Sequence, residues 1–199
     1  SAAAAAAAGG ARPVRAPARR MMAAAAAATT ALPFPRGAVS CVLAKPAPGG
    51  DEYLLVKRGK PPGKGLWSLA GGKLELGEPT LDGALREVFE ETGLPAEALA
   101  LHPWPITSSD AIFENATSDG GSSGGLAFHY CIAQTYARVD PGYADRAVAG
   151  DDAREVGWFS LESVREMGSE HVAGNVAGVL EIAEQLVGAG VIKIEEAGD

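Results

Sequence analysis

The stretch Gly72–Leu94, GKLELGEPTLDGALREVFEETGL, decides how the rest of the chain is read. Its spacing runs Gly72, five residues, Glu78, seven residues, then Arg86-Glu87-Val88-Phe89-Glu90-Glu91-Thr92-Gly93-Leu94. Gly71, Gly72 and Gly77 mark a loop. A helix is expected to start near Pro79-Thr80, because proline is tolerated in a first turn. Gly93 ends it, since a glycine just past a helix can take the left-handed conformation. At about 100° per residue, Leu81, Ala84, Leu85, Val88 and, at the margin, Phe89 share one apolar side. Glu87, Glu90 and Glu91 fall on another side at i, i+3 and i+4, so three carboxylates are neighbours.

Like charges at that spacing repel, and the face therefore calls for a cation. Hard oxygen ligands at this density suit Mg²⁺ or Mn²⁺, which bind through a few carboxylates, several waters and substrate phosphates. A solvated acidic helix face with Arg86 pairing locally would account for the glutamates alone. It accounts neither for the glycine-bounded loop nor for Glu78, eight residues before Arg86.

These residues match, at every defined position, the Nudix signature G-x5-E-x7-R-E-U-x-E-E-x-G-U, where U is an apolar aliphatic residue. The match uses nine fixed or class-restricted positions but covers only 23 of 199 residues. Weaker similarity extends from about Arg36 to Gly188. It includes Gly63-Lys64-Gly65-Leu66-Trp67-Ser68-Leu69 before the box, then Phe128-His129-Tyr130 and the segment from Asp151 to Phe159 after it. The chain resembles most the ADP-ribose-pyrophosphatase-like group of that superfamily.

The resemblance implies an α/β fold: a Nudix-type α/β/α sandwich with a mixed sheet, its box loop and helix carrying the metal site. It implies hydrolysis of a diphosphate X–O–P–O–P–Y with Mg²⁺ or Mn²⁺ as cofactor. Glu87, Glu90 and Glu91 would be the metal ligands, with the Gly71 carbonyl a further one. Arg86 would orient Glu87 through a charge-assisted bond, making Glu87, Glu90 and Arg86 the catalytic set. Gly72, Glu78 and Gly93 support the box, Glu78 in a structural or secondary metal role, with Glu75 behind it. In the family a carboxylate outside the box often completes the metal site or acts as base. Glu155 comes first here, followed by Asp152 and Asp151, and the base is either one of these or a box glutamate. The implied substrate is a small nucleoside diphosphate linked to another moiety. ADP-ribose, giving AMP and ribose 5-phosphate, leads over NADH, an oxidised nucleoside triphosphate or a dinucleoside polyphosphate. A Nudix-fold binding module without turnover would be marked by loss of Glu87, Glu90 or Glu91, and none is lost. The family often forms homodimers.

Beyond the box, length suggests one folded domain, and the chain is long enough for a single core. Net charge is −8, but the first fifty residues carry six basic groups and no acidic one, leaving −14 on the remainder. An acidic body argues against nonspecific nucleic-acid binding, which needs a cationic surface. It accommodates an anionic substrate when divalent cations bridge the two. No window of about 20 apolar residues follows the N-terminal region, so no membrane span is expected.

Residues 1–35 are low-complexity, two polyalanine runs joined by Arg-Pro-Ala sequence. An Arg-rich, acid-free composition with some hydroxyl residues is the mark of a chloroplast or mitochondrial transit peptide. The competing reading is an alanine-rich extension with no address, which leaves the protein cytoplasmic. Separately, because the sequence opens on Ser1 rather than Met, Met21 or Met22 is a candidate initiator. The folded domain is expected over 36–190, with an acidic tail over 191–199.

Ala38–Ala44 reads as a buried strand, and Tyr53–Arg58 as its hairpin partner across a turn at Pro46–Glu52. The basic loop that follows places Arg58 and Lys64 near the box, where they could hold a second phosphate. Short strands are expected at Trp67–Leu69 and Lys73–Glu75. His102-Pro103-Trp104-Pro105 holds part of a motif of NADH-cleaving Nudix enzymes, but Trp104 reads first as an aromatic packed beside a strand. Asn115–Gly125 reads as a loop, and its Asn115-Ala116-Thr117 sequon matters only in a secreted protein. Leu126–Val139 gives the longest strand pattern, with His129 expected as a satisfied sheet residue. Cys41 and Cys131 are expected to be buried small hydrophobes. Helices are expected at Leu161–Glu166 and His171–Val187, the second with Val172, Val176, Val179, Leu180, Ala183 and Val187 as its apolar stripe.

Overall fold

The computed structural model describes residues 34–116 and 122–192. Residues 1–33, with the expected transit peptide, and residues 193–199 of the acidic tail lie outside them. The elements are β1 (Arg36–Ala47), β2 (Gly50–Arg58), β3 (Trp67–Ser68), β4 (Ala70–Lys73), α1 (Thr80–Thr92), β5 (Leu99–Leu101), β6 (Thr107–Ala116), β7 (Ser122–Val139), α2 (Pro141–Ala144), β8 (Ala153–Ser160), α3 (Leu161–His171) and α4 (Val176–Gly188).

The strands form one mixed sheet. Its path runs β3-β2-β1-β7-β5, with β8 added to β2, β4 to β1 and β6 to β7. Among the described strand pairs only β1 and β7 run parallel, in register from Arg36 opposite Tyr130 to Ala44 opposite Arg138. Along its other edge β1 changes partner: residues from Ala44 pair with β2, and Ala38–Cys41 pair with β4. That split sets the Gly71-Gly72 pair against the middle of the sheet.

Period-two alternation divides the core between the two faces of the sheet. Val42, Ala44, Tyr53, Leu55 and Tyr136 face α3 and α4, where they meet Leu161, Val164, Val179 and Leu180. Cys41, Leu43, Leu54, Val56, Ala137 and Val139 face the other way, against Val88 of α1 and Leu94. Helices on both faces of a mixed sheet make the expected α/β/α sandwich. No described helix is long and apolar enough to cross a membrane.

Several local expectations need correction. The first hairpin is tighter than expected, since β1 runs to Ala47 and β2 begins at Gly50. The strand expected at Lys73–Glu75 lies earlier, and β4 ends at Lys73. The second C-terminal helix starts at Val176, not His171, because the Asn175 side chain accepts from Gly178 N–H and caps it there. Val172 instead bridges to Trp67. Strands β5 and β6 flank β7 where no strand was expected, and pairing extends into the expected loop as far as Ala116 opposite Ser122. Phe89 is 56% exposed and takes no part in the core. Trp104 is 70% exposed and not packed beside a strand. Cys41 is buried as expected, whereas Cys131 is exposed.

Candidate active site

Helix α1 follows from its sequence at both ends. Pro79 is extended just ahead of Thr80, and Gly93 closes the helix at φ 69°, its N–H donating to the Phe89 carbonyl. The apolar side buries Ala84 and Val88 against the sheet. The glutamates are thereby turned toward the Gly71-Gly72 segment. The last turn holds Glu90 and Glu91 and no basic residue.

Arg86 organises the acidic face. Its Nε donates to Glu78 Oε1 at 2.8 Å and one terminal nitrogen donates to Glu78 Oε2 at 2.9 Å, a fork on a single carboxylate. The other terminal nitrogen reaches Glu87 Oε1 at 2.8 Å and Glu90 Oε2 at 3.3 Å. The remaining donor capacity goes to the Lys73 carbonyl at 3.0 Å. One guanidinium therefore joins the loop carboxylate, two helix carboxylates and the end of β4. The fork from Arg86, with the Glu75 N–H on the same carboxylate, lowers Glu78 to about 2.

Glu91 is held separately, accepting from the Gly71 N–H at 3.0 Å. Burial pushes its carboxyl up to about 7; the Gly71 N–H and the Arg58 charge oppose this, and Glu87 and Asp151 add to it. Glu87 is also raised, again chiefly by burial, against the pull of Arg86. Two of the three helix carboxylates are therefore costly to ionise without a cation. They do not form a closed cage. Among the described residues the one set of three His, Cys, Asp or Glu ligands within 4.8 Å of one another lies elsewhere, at Asp110, His129 and Cys131.

Glycines make this packing possible. A Cβ on Gly72 would stand 2.4 Å from Glu87 Oε1, and one on Gly71 would stand 2.3 Å from the Val39 carbonyl. Gly83, inside α1, lets the loop approach: a Cβ there would meet Leu74 at 2.5 Å and Glu78 Oε2 at 2.9 Å. Gly83 was not singled out from the sequence. The available signal was a helix-interior glycine, which costs about 1 kcal/mol relative to alanine. The segment 148–152 was also missed as a support for α1. It caps the helix end, with Val148 N–H donating to the Thr92 carbonyl and Gly150 N–H to the Glu91 carbonyl.

The outlying candidates are distributed unevenly. Arg58, the last residue of β2, is felt electrostatically at Glu91 and donates to the Pro62 carbonyl at 2.8 Å. Lys64 is exposed in the same loop. Glu75 is exposed, its side chain apart from the box, although its N–H donates to Glu78 at 3.0 Å. Asp152 is paired with Lys60, and its carbonyl accepts from Gly59 N–H. Glu155 is not brought to the cluster. It lies opposite Lys57 on β2 and binds it at 3.1 Å, and Lys57 in turn sits over Trp67 on the α3–α4 side. Of the non-box carboxylates, the one whose charge reaches Glu91 is Asp151, which has a φ of 42°.

The site is thus an arginine-ordered row of glutamates beside a glycine loop, carried on an α/β/α sandwich. Residues 34–176 match the NUDIX domain, and the chain belongs to the Nudix family. It is 27% identical over 122 residues to the ADP-ribose pyrophosphatase of Methanocaldococcus jannaschii, covering 61% of this chain and 62% of that protein. The chain thus spans about three fifths of that relative's length. It is 30% identical over 118 residues to the nucleoside triphosphatase NudI of Enterobacter sp. strain 638, covering 58% and 77% of the two chains. In fold it is similar to the NUDIX domain of Shewanella oneidensis NrtR, solved with ADP ribose, at a TM-score of 0.57 and 18% identity, covering 81% and 94% of the two chains.

Proposed function

We propose that the chain is a divalent-metal-dependent Nudix pyrophosphohydrolase that cleaves the diphosphate of a nucleoside diphosphate linked to another moiety, with ADP-ribose as the leading substrate. The carrying observation is the Arg86 lattice. An arginine that fixes Glu78, Glu87 and Glu90 together is more than a solvated acidic face requires. The M. jannaschii relative, named for ADP-ribose, favours that substrate.

The donor set fits Mg²⁺ or Mn²⁺. Glu87 and Glu90 are each held through one oxygen by Arg86, and Glu91 through one by Gly71; the second oxygen of each takes no hydrogen bond among the described residues. Hard carboxylate oxygens that leave room for waters match the coordination these ions prefer. Glu87, Glu90 and Glu91 would hold the ions, with the Gly71 carbonyl alongside. When bound, such an ion neutralises phosphate charge and lowers the pKa of a coordinated water. Arg86 keeps Glu87 and Glu90 from rotating away. The base would be a box glutamate or a carboxylate from the later loops. Arg58, whose charge is felt at Glu91, would meet a phosphate oxygen, with Lys64 in the same loop as a second candidate.

The test is a hydrolysis screen with Mg²⁺ and with Mn²⁺ against ADP-ribose, NADH, 8-oxo-dGTP and diadenosine polyphosphates, with EDTA and Glu90→Gln as controls. The expected result is EDTA-sensitive conversion of ADP-ribose to AMP and ribose 5-phosphate, lost in the variant. Faster cleavage of another member of the panel would replace the substrate and leave the reaction class. Near-normal turnover by Glu90→Gln would put the ions on the wrong residues.

A further inference from the structure

Strand β7 is longer than the sheet that supports it. Its pairing with β1 begins at Tyr130, so the residues before that pair with β6 alone. At this junction His129 and Cys131, two apart on β7, point the same way. Asp110 of β6 lies directly opposite Cys131 in the register. Backbone pairing alone therefore brings an imidazole, a thiol and a carboxylate to one face.

The side chains converge further. His129 Nε2 is 2.8 Å from Asp110 Oδ1 and 3.9 Å from Cys131 Sγ, and one ligand atom from each lies within 4.8 Å of the others. Both neighbours address the same ring nitrogen. That excludes a nucleophilic relay, in which thiol and carboxylate would use opposite nitrogens of the imidazole. It is the arrangement expected when three donors share one point.

We propose that Asp110, His129 and Cys131 form a second cation site, on the β6–β7 ribbon, for a borderline-soft divalent ion such as Zn²⁺. Thiolate and imidazole select zinc over magnesium, the reverse of the all-carboxylate box. Tetrahedral zinc with these ligands separates its donors by roughly 3.3–3.6 Å. The N···S distance already lies near that range, and the N···O pair needs to open by about 0.5 Å. Cys131 is exposed and Asp110 and His129 are at least partly so, which gives the ion a path in and leaves the fourth position to water. Binding replaces the Asp110–His129 hydrogen bond and releases the thiol proton.

The experiment uses the full chain with excess Mg²⁺ present, so that the box carboxylates are already occupied by a hard ion. Co²⁺ is titrated as a spectroscopic probe, and separately the alkylation rate of each cysteine by iodoacetamide is followed by peptide mass spectrometry with and without Zn²⁺. Buried Cys41 is the internal control. The expected result is a single thiolate-to-cobalt charge-transfer band, absent in Cys131→Ser, and a slowing of Cys131 alkylation by at least about tenfold with Zn²⁺. Asp110→Asn and His129→Gln should each weaken Co²⁺ binding by about tenfold or more. Their circular dichroism should match the parent, since the three side chains lie outside both core clusters. Unchanged alkylation with no charge-transfer band overturns the proposal. So does a band that persists at full affinity in both Asp110→Asn and His129→Gln, which would reduce the site to one cysteine.

Discussion

Replacing Gly72 with alanine tests whether the position of Glu87 sets the rate. The new Cβ would lie 2.4 Å from Glu87 Oε1 and 2.5 Å from Oε2, where ordinary contact begins at 3.4 Å. The carboxylate must therefore withdraw by about 1 Å, and misplacement on that scale can cost about 10²-fold in rate. The same movement stretches its 2.8 Å bond from Arg86 beyond hydrogen-bonding range. The fold should be little affected. The backbone of Gly72 is outside the left-handed region, and the atoms in the way belong to a side chain that can move. We expect kcat for ADP-ribose to fall by about 10²-fold, equivalent to ~2.7 kcal/mol in the barrier. The melting temperature should drop by no more than about 2–4 °C. Gly71→Ala is the contrasting control. Its Cβ would meet the Val39 carbonyl and the Ser40 Cα, backbone of β1 that cannot withdraw, and overpacking of that kind costs about 1–3 kcal/mol. Steady-state kinetics beside thermal melts separate the two. A Gly72→Ala enzyme within about threefold of the parent rate would refute the reasoning, because 1 Å at Glu87 would then not matter.

Three further outcomes follow from the site. Glu90→Gln and Glu91→Gln should each lower turnover by more than about 100-fold, with unchanged circular dichroism; calorimetric Mn²⁺ titration should show the lost affinity. Arg86→Lys keeps the charge but cannot fork onto Glu78 and reach Glu87 together, so kcat should fall by at least about tenfold while KM changes less, as read from initial rates. Glu91 gives the pH dependence. Its folded pKa, about 7, is raised above the ordinary 4.5, so without metal its contribution to stability is fully present below pH 4.5 and lost as pH rises through 7. Metal requires the ionised form, and apparent Mn²⁺ affinity should therefore rise up to about tenfold per pH unit below pH 7 and level off above it. Titrations across that range check this, and Glu91→Gln should flatten the profile.

Legibility of the sequence followed the kind of physics involved. Strands β1 and β2 were readable because their central runs, Ala38–Ala44 and Tyr53–Val56, are buried on both faces and apolar but for Ser40. Helix α1 was readable because its stop signal and its face periodicity are local. Strand β6, TSSDAIFENA, carries no such pattern and owes its conformation to pairing with β7. Cys131 looks like a core residue by type, yet it sits midway along β7, one residue past the point where pairing with β1 begins. Glu155 could have been placed from parity: residues 53, 55 and 57 of β2 share the face opposite α1, and Glu155 is in register with Lys57. The Arg86 hub was foreseen only as a partner for Glu87. Its reach to Glu78 and Lys73 depends on the loop folding back over Gly83, which no spacing rule specifies.

The position of Glu90 and Glu91 within α1 has a thermodynamic consequence. A helix C-terminus carries a partial negative charge, and this one adds two carboxylates with no basic side chain in the turn. The folded chain thus stores repulsion at one pole, which the cation proposed for this site would relieve. An ion that binds only the native state would add about 1.4 kcal/mol to the unfolding free energy for each tenfold rise in its free concentration above the dissociation constant. Cation supply would then govern how long the folded protein persists as well as how fast it turns over.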